Sequence, residues 1–235
     1  MKDEAVIAWY ERHVVIPNDW KGKRVFLMIG ASDWHTTGWL DGSEVGQFKG
    51  GYTPIEFELT DAIKWGEDQT LFLRVDDTEH EFKLYGKQGY GDCRGIWQTD
   101  YLEARPNTYF ESIHFSPDID KSQVKVVAHL NAKPKQDGVI EIQFITANVP
   151  AKRNAFEKGV QEIEFTIDLP DQHLWSLDDP FLYEIEAFLK IGQELDKVAS
   201  YFGQRKISVM EFPGEKYTYV ALNNKPVYLQ LALDQ

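Results

Sequence analysis

Tyr85-Gly86-Lys87-Gln88-Gly89-Tyr90-Gly91-Asp92-Cys93-Arg94-Gly95-Ile96-Trp97-Gln98, running on through Thr99 to Glu103, is the stretch around which this chain is organised. It opens as a loop in which Gly86, Gly89, Gly91 and Gly95 are interleaved with Lys87, Gln88, Asp92 and Arg94. It closes as a strand-like run from Ile96 to Leu102. Glycine allows positive φ and close backbone approach, so such a loop beside a rigid strand presents polar and aromatic groups as a recognition surface. The alternative reading from the residues is a long turn feeding a buried strand. Strands flank the stretch and no helix follows, so Gly86-x-x-Gly89-x-Gly91 is not a dinucleotide fingerprint.

Working outward, the residues from Trp9 to Glu103 form short strands separated by turns. Val25-Phe26-Leu27-Met28-Ile29 is a continuous apolar run, which predicts a strand buried on both faces. Trp39-Leu40 leads into Asp41-Gly42, the strongest short hairpin signal in the chain. Ile55, Phe57 and Leu59 alternate with Glu56 and Glu58, and Leu71, Leu73 and Val75 alternate with Phe72 and Arg74, so these strands bury one face. This spacing predicts a β-sandwich or jelly roll over residues 1–105.

Arg105-Pro106-Asn107 reads as a boundary, because proline removes a ladder donor. Strands are then predicted at Tyr109–Phe115, Val124–Leu130, Val139–Val149, Ile163–Leu169, Phe181–Ile191 and Val198–Phe202. That is the size and rhythm of an immunoglobulin-like β-sandwich over residues 106–211. Glu211-Phe212-Pro213-Gly214-Glu215 is a linker by composition. The fold class expected throughout is all-β.

The chain has 235 residues, enough for two cores, and its seven Trp, eleven Tyr and fourteen Phe argue against disorder. Its net charge of 25 − 38 = −13 argues against nucleic acid or an anionic membrane as partner. Cys93 is the single cysteine, so no internal disulfide forms, and no histidine lies near it in sequence to make it a nucleophile. The start, Met1-Lys2-Asp3-Glu4-Ala5, lacks the apolar core of a signal peptide, and no run of eighteen apolar residues occurs. Localisation stays open between cytoplasm and periplasm.

Several motifs, in order, resemble family 2 glycoside hydrolases, which include β-galactosidases, β-glucuronidases and β-mannosidases. Gly95-Ile96-Trp97-Gln98 with Tyr101-Leu102-Glu103 resembles the end of their N-terminal sugar-binding domain. Trp9-Tyr10 with Arg12, Gly38-Trp39-Leu40-Asp41-Gly42 and Gly50-Gly51-Tyr52-Thr53-Pro54 resemble its earlier strands and turns, with Asp41 where Asn is usual. Leu174-Trp175-Ser176, Pro180, Leu182-Tyr183 and Phe202-Gly203-Gln204-Arg205-Lys206 resemble the following immunoglobulin-like domain. Leu222-Asn223-Asn224-Lys225-Pro226-Val227-Tyr228-Leu229 and Ala232-Leu233-Asp234-Gln235 resemble the approach to a TIM barrel. Residues 212–235 are therefore expected to be a linker and the first strand of a barrel, the barrel itself being absent from this chain.

The family hydrolyses β-glycosides with retention, using two barrel glutamates about 5–5.5 Å apart. The resemblance places both beyond Gln235, so the chain is expected to carry no catalytic residue and to need no cofactor. Its own i, i+2 pairs, Glu56/Glu58, Glu79/Glu81, Glu162/Glu164 and Glu184/Glu186, read as solvated strand faces. His13, His35, His80, His114, His129 and His173 show no metal-ligand spacing, and no metal site is expected. In this family a loop just before the Gly-Ile segment reaches over the barrel mouth to touch sugar. That makes Lys87, Gln88 and Asp92 the candidate carbohydrate-binding residues, flanked by Tyr85 and Tyr90.

Two other readings stay open. One is an autonomous carbohydrate-binding module with an exposed platform drawn from Trp20, Trp34, Trp39 or Trp65, of which Trp39 is expected in the core. The other is a pair of sandwiches that only scaffold the barrel and a homo-oligomer interface. The expected partners are carbohydrate, the barrel domain and a further copy of the chain.

Overall fold

The computed structural model of the chain describes residues 6–78, 94–211 and 214–232. Apart from short 3-10 turns at Asn18–Trp20 and Thr60–Ala62, its regular structure among these residues is all strand. The chain divides after Asn107 into two compact units.

The first unit contains β1 (Ile7–Val15), β2 (Arg24–Ile29), β3 (Ser32–Asp33), β4 (His35–Leu40), β5 (Ser43–Lys49), β6 (Ile55–Glu58), β7 (Asp68–Asp76), β8 (Gly95–Ile96) and β9 (Asp100–Arg105). An antiparallel sheet in the order β1-β7-β4-β5 faces a second in the order β6-β2-β9, and β3 pairs with β8 in a short ladder beside them. The jelly-roll sandwich closes on Ile16, Val25, Leu27, Ile29, Leu40, Ile55, Phe57, Leu59, Leu71 and Leu73. The alternations at Ile55–Leu59 and Leu71–Val75 place those apolar side chains inward, as period 2 requires.

The run Val25–Ile29 has a more specific reason for its apolar outer residue. Val25, Leu27 and Ile29 enter the core, whereas Phe26 faces the other side and is covered by two guanidinium groups. Arg24 lies 5.1 Å and Arg105 4.7 Å from its ring centroid. Arg24 donates to both oxygens of Glu58 at 2.8 and 2.6 Å, and Arg105 to Glu56 at 2.9 Å and Glu103 at 3.0 Å. A strand that reads as doubly buried is thus covered by apolar layers on one side and by paired charges on the other.

The hairpin between β4 and β5 turns at Asp41 and Gly42, with φ of 48° and 82°, the positive pair a type I′ turn demands. Asp41 also serves as an anchor. Its Oδ1 accepts from Thr70 N at 2.8 Å, and its Oδ2 from Lys64 Nζ at 2.8 Å and Gln69 Nε2 at 3.1 Å. These bonds, that from Lys64 first, hold its carboxyl down to about 2.

The second unit contains β10 (Phe110–Asp118), β11 (Gln123–Leu130), β12 (Gly138–Phe144), β13 (Lys152–Phe156), β14 (Glu162–Asp168), β15 (Tyr183–Ile191) and β16 (Glu194–Phe202). Sheet β10-β11-β14 packs on sheet β13-β12-β15-β16 around a core that includes Val124, Val126, Ile140, Ile142, Phe165, Tyr183, Ile185 and Phe202. This is an immunoglobulin-like sandwich with its fourth strand on the β12-β15-β16 side. Tyr183, near the start of β15, accepts a hydrogen bond from His173 N at 2.6 Å, the arrangement of a tyrosine corner. Ile185 stands two residues on, where antibody domains carry a half-cystine.

β17 (Ile207–Glu211), β18 (Thr218–Leu222) and β19 (Lys225–Pro226) form a separate antiparallel sheet. Asn223 and Asn224, with φ of 51° and 62°, supply its type I′ turn. Asn223 accepts from Lys206 N at 3.0 Å and donates to Trp175 O at 2.9 Å, tying the hairpin to the loop before β15. Trp175 pins that loop, with the Arg205 guanidinium 4.6 Å from its ring centroid.

Candidate functional site

Lys87, Gln88 and Asp92, with Tyr85, Tyr90 and Cys93, lie outside the described residues, as do His80, Glu79 and Glu81. What the structure does describe is the base from which the 79–93 segment departs and returns.

β7 ends at Asp76. This carboxylate accepts from the Thr78 hydroxyl, from Thr78 N at 2.9 Å and from Arg74 Nη2 at 2.6 Å, and those bonds hold it down to about 2. Asp77 is buried, its N–H donates to Val6 O at 2.7 Å, and its Oδ2 lies 3.0 Å from Arg94 Nε. The Asp77–Arg94 pair therefore fastens the outgoing and returning ends of the segment together.

Gly95 follows with φ of +75°. A Cβ there would sit 2.3 Å from Tyr10 Oη, which itself accepts from Ile96 N at 3.3 Å. Only glycine combines that dihedral with that approach. Ile96 and Gly95 pair with Ser32 and Asp33, and Trp97 and Gln98 donate their N–H groups to Ala31 O at 3.2 and 3.4 Å.

The rim next to this base is aromatic. Trp97 Nε1 donates to Gly51 O at 2.8 Å, and Tyr52 meets the indole edge-on with centroids 5.6 Å apart. Tyr52 is 57% and Trp97 40% exposed. Asp33 is buried behind them, so close that a Cβ on Gly51 would lie 2.9 Å from its Oδ1. An indole held by a hydrogen bond, with a second ring edge-on to it and a buried carboxylate near by, is suited to contacting a polyhydroxylated ligand.

Among the described residues, the carboxylate pairs stand on outer faces, most of them beside a basic group. Besides Glu56 and Glu58, Glu164 meets Lys125 at 2.8 Å, Glu186 meets Lys197 at 2.7 Å, and Glu162 lies 3.4 Å from His129. Among the described residues, no group of three or more His, Cys, Asp or Glu is arranged to hold a metal ion.

The tryptophans are distributed differently from expectation. Trp20 and Trp65 are half-buried against the first core. Trp39 is not in the core. Gly38 and Leu40 face inward, so period 2 sends Trp39 to the outer face of its sheet, where it is half-buried. There it stacks against Trp9, which is 61% exposed and was absent from the expected platform residues. The signal was present in the alternation Ile7-Trp9-Glu11-His13, which puts Trp9 on the charged face of β1.

Residues 108–205 match the sequence profile described as "Glycosyl hydrolases family 2". A β-galactosidase from Thermoanaerobacter pseudethanolicus is 25% identical over 97% of this chain and 32% of its own length. A β-glucuronidase from Bacteroides fragilis is 26% identical over 83% of this chain and 31% of its own length. Within residues 108–205 the chain carries a domain that matches glycoside hydrolase family 2.

Solved structures share the fold. A family 2 member from Bacteroides cellulosilyticus superposes with a TM-score of 0.77 at 20% identity, covering 95% of this chain and 29% of that one. A β-glucuronidase from Ruminococcus gnavus gives 0.74 at 17% identity, covering 95% and 40%. The chain thus spans about a third of the length of the first two curated relatives, at 32% and 31%.

Proposed function

We propose that this chain is the non-catalytic N-terminal part of a retaining β-glycosidase. In this reading residues 1–105 are a sugar-binding jelly roll, 106–211 an immunoglobulin-like spacer, and 212–235 a linker and the first strand of a barrel. The observation that carries it is coverage: nearly the whole chain, 97%, aligns to 32% of a β-galactosidase. The two glutamates of the family's chemistry would then belong to a further domain.

The role of the first sandwich is to shape the carbohydrate site. In this reading Lys87, Gln88 and Asp92 would contact sugar hydroxyls, and Tyr52 and Trp97 would add aromatic contacts.

The test is hydrolysis of a panel of nitrophenyl β-glycosides by the 235-residue chain and by a version extended through a barrel. The reading expects turnover only in the extended protein, with Lys87→Ala, Gln88→Ala or Asp92→Ala raising KM at least severalfold. Turnover by the short chain would overturn it and return attention to its own carboxylates.

A further inference from the structure

The outer face of sheet β1-β7-β4-β5 carries an aromatic island in a polar field. Its register places Trp9 opposite Arg74, Glu11 opposite Phe72, and Phe72 opposite Trp39. β7 lies between β1 and β4, so those two strands are roughly 9–10 Å apart. Yet the Trp9 and Trp39 ring centroids are 5.6 Å apart, with planes at 25°. The two indoles therefore lean toward each other over β7, where Phe72 and Arg74 are half-buried. Trp39 backs one side of Trp9 and fixes its orientation, while Trp9 stays 61% exposed.

The size of the island decides what fits it. An aromatic side chain offers about 150–250 Å², so Trp9 presents on the order of 100–150 Å² of free surface. A stable protein partner would cover roughly 800 Å² on each side. Ile7, two residues along the same face of β1, is the apolar extension of the island. The surrounding side chains are Glu11, His13, Asp76, Gln47 and Glu44, of which all but the half-buried Asp76 are exposed.

A pyranose ring matches this surface. Its flat face presents C–H bonds whose slight positive charge suits the negative face of an indole. Its equatorial hydroxyls project sideways, toward donors and acceptors such as Arg74, Glu11, Asp76 and Gln47. With Asp76 paired to Arg74, the exposed Glu11 and Glu44, on a chain of net charge −13, favour a neutral sugar over an acidic one.

We propose that Trp9, backed by Trp39, is a stacking platform for a neutral β-linked pyranose of an oligo- or polysaccharide. It stands on this sheet face alone, and its test is independent of hydrolysis. β-linked rings suit the platform because their equatorial linkages keep the chain flat across it.

The test is affinity electrophoresis of the 235-residue chain through gels containing barley β-glucan, konjac glucomannan or wheat arabinoxylan. Retardation by at least one is expected. Trp9→Ala should weaken it at least tenfold, Trp9→Phe should retain part of it, and Tyr201→Ala, at an exposed ring in the second unit, should leave it unchanged. Sedimentation of the same proteins reads the competing occupant. No retardation by any of the three, equal retardation of Trp9→Ala, or a dimer that Trp9→Ala abolishes would each overturn the proposal. If Trp9→Ala does not fold, the indole N–H resonances of the unaltered chain carry the test. The retarding glycan must then shift those of Trp9 and Trp39 and leave that of Trp175 in place.

Discussion

The two sandwiches use their aromatic side chains in opposite ways. In the second, Phe115 stacks on Phe202 at 5.1 Å, Phe202 on Tyr183 at 5.0 Å, and Phe144 meets both rings edge-on. Those rings fill the space between its sheets. In the first, the core is aliphatic apart from Phe57, with Trp20, Phe48 and Trp65 packed at its margin, and Trp9, Trp39, Tyr52 and Trp97 stand on the surface. A ring inside contributes burial, while a ring outside offers recognition. The second unit packs these rings into its core, whereas the first displays Trp9, Tyr52 and Trp97 at its surface.

The largest test of that contrast is Phe202→Ala. Removing a buried ring stacked on two others should lower unfolding free energy by about 3–5 kcal/mol, measured by guanidinium denaturation. A loss below about 1 kcal/mol would mean that the inner stack is not what holds the second unit together.

Next in size is Gly95→Ala in the first unit. The new Cβ meets Tyr10 Oη at 2.3 Å while φ stays at +75°, so a loss of about 1–3 kcal/mol is expected. In a Tyr10→Phe background the clash disappears and the dihedral strain remains. A thermal melt should then show part of the loss restored, separating the two causes.

Trp9→Ala sharpens the contrast directly. The stack with Trp39 is worth about 0.5–1.5 kcal/mol, with little burial to add. The stability change should therefore be a small fraction of that for Phe202, even though Trp is the larger residue. Equal losses in the two denaturation curves would erase the inside–outside distinction.

Smallest at neutral pH is Asp41→Asn, which keeps a residue tolerant of positive φ in the turn. The Asp41 carboxyl is held down to about 2, below its ordinary 3.8. A depressed carboxyl contributes stability that is present above the ordinary value and is lost as pH falls through the depressed one. The unaltered protein should accordingly lose stability between about pH 4 and pH 2, and Asp41→Asn should flatten that slope in an acid titration followed by circular dichroism.

Much of the fold was legible because it rests on period 2. Val124, Val126, Ala128 and Leu130 are buried as the alternation requires, and Asp41-Gly42 turns the chain as its residues predict. β13 was missed because Lys152-Arg153-Asn154-Ala155-Phe156 forms an edge strand with one buried side chain, Phe156, which leaves no alternation to read. Trp39 was misplaced because size was weighed above phase. Its neighbours Gly38 and Leu40 both point inward, and a residue between them cannot. The candidate site was less legible for a different reason. Recognition through Lys87, Gln88 and Asp92 was read from a loop with no periodicity to constrain it. The ladder that supports that loop joins Ser32–Asp33 to Gly95–Ile96, a pairing across more than half the first unit that no local pattern encodes.

β1 is nine residues long and, among the described residues, is paired on one side only, with β7. A free strand edge of that length is a template on which another extended segment could grow a fibril. Glu11, Arg12 and His13 occupy its middle and point alternately to the two faces. An incoming strand would have to strip water from a carboxylate on one face and a guanidinium on the other. The segment that keeps Trp9 in polar company thereby guards the sheet against self-propagating aggregation.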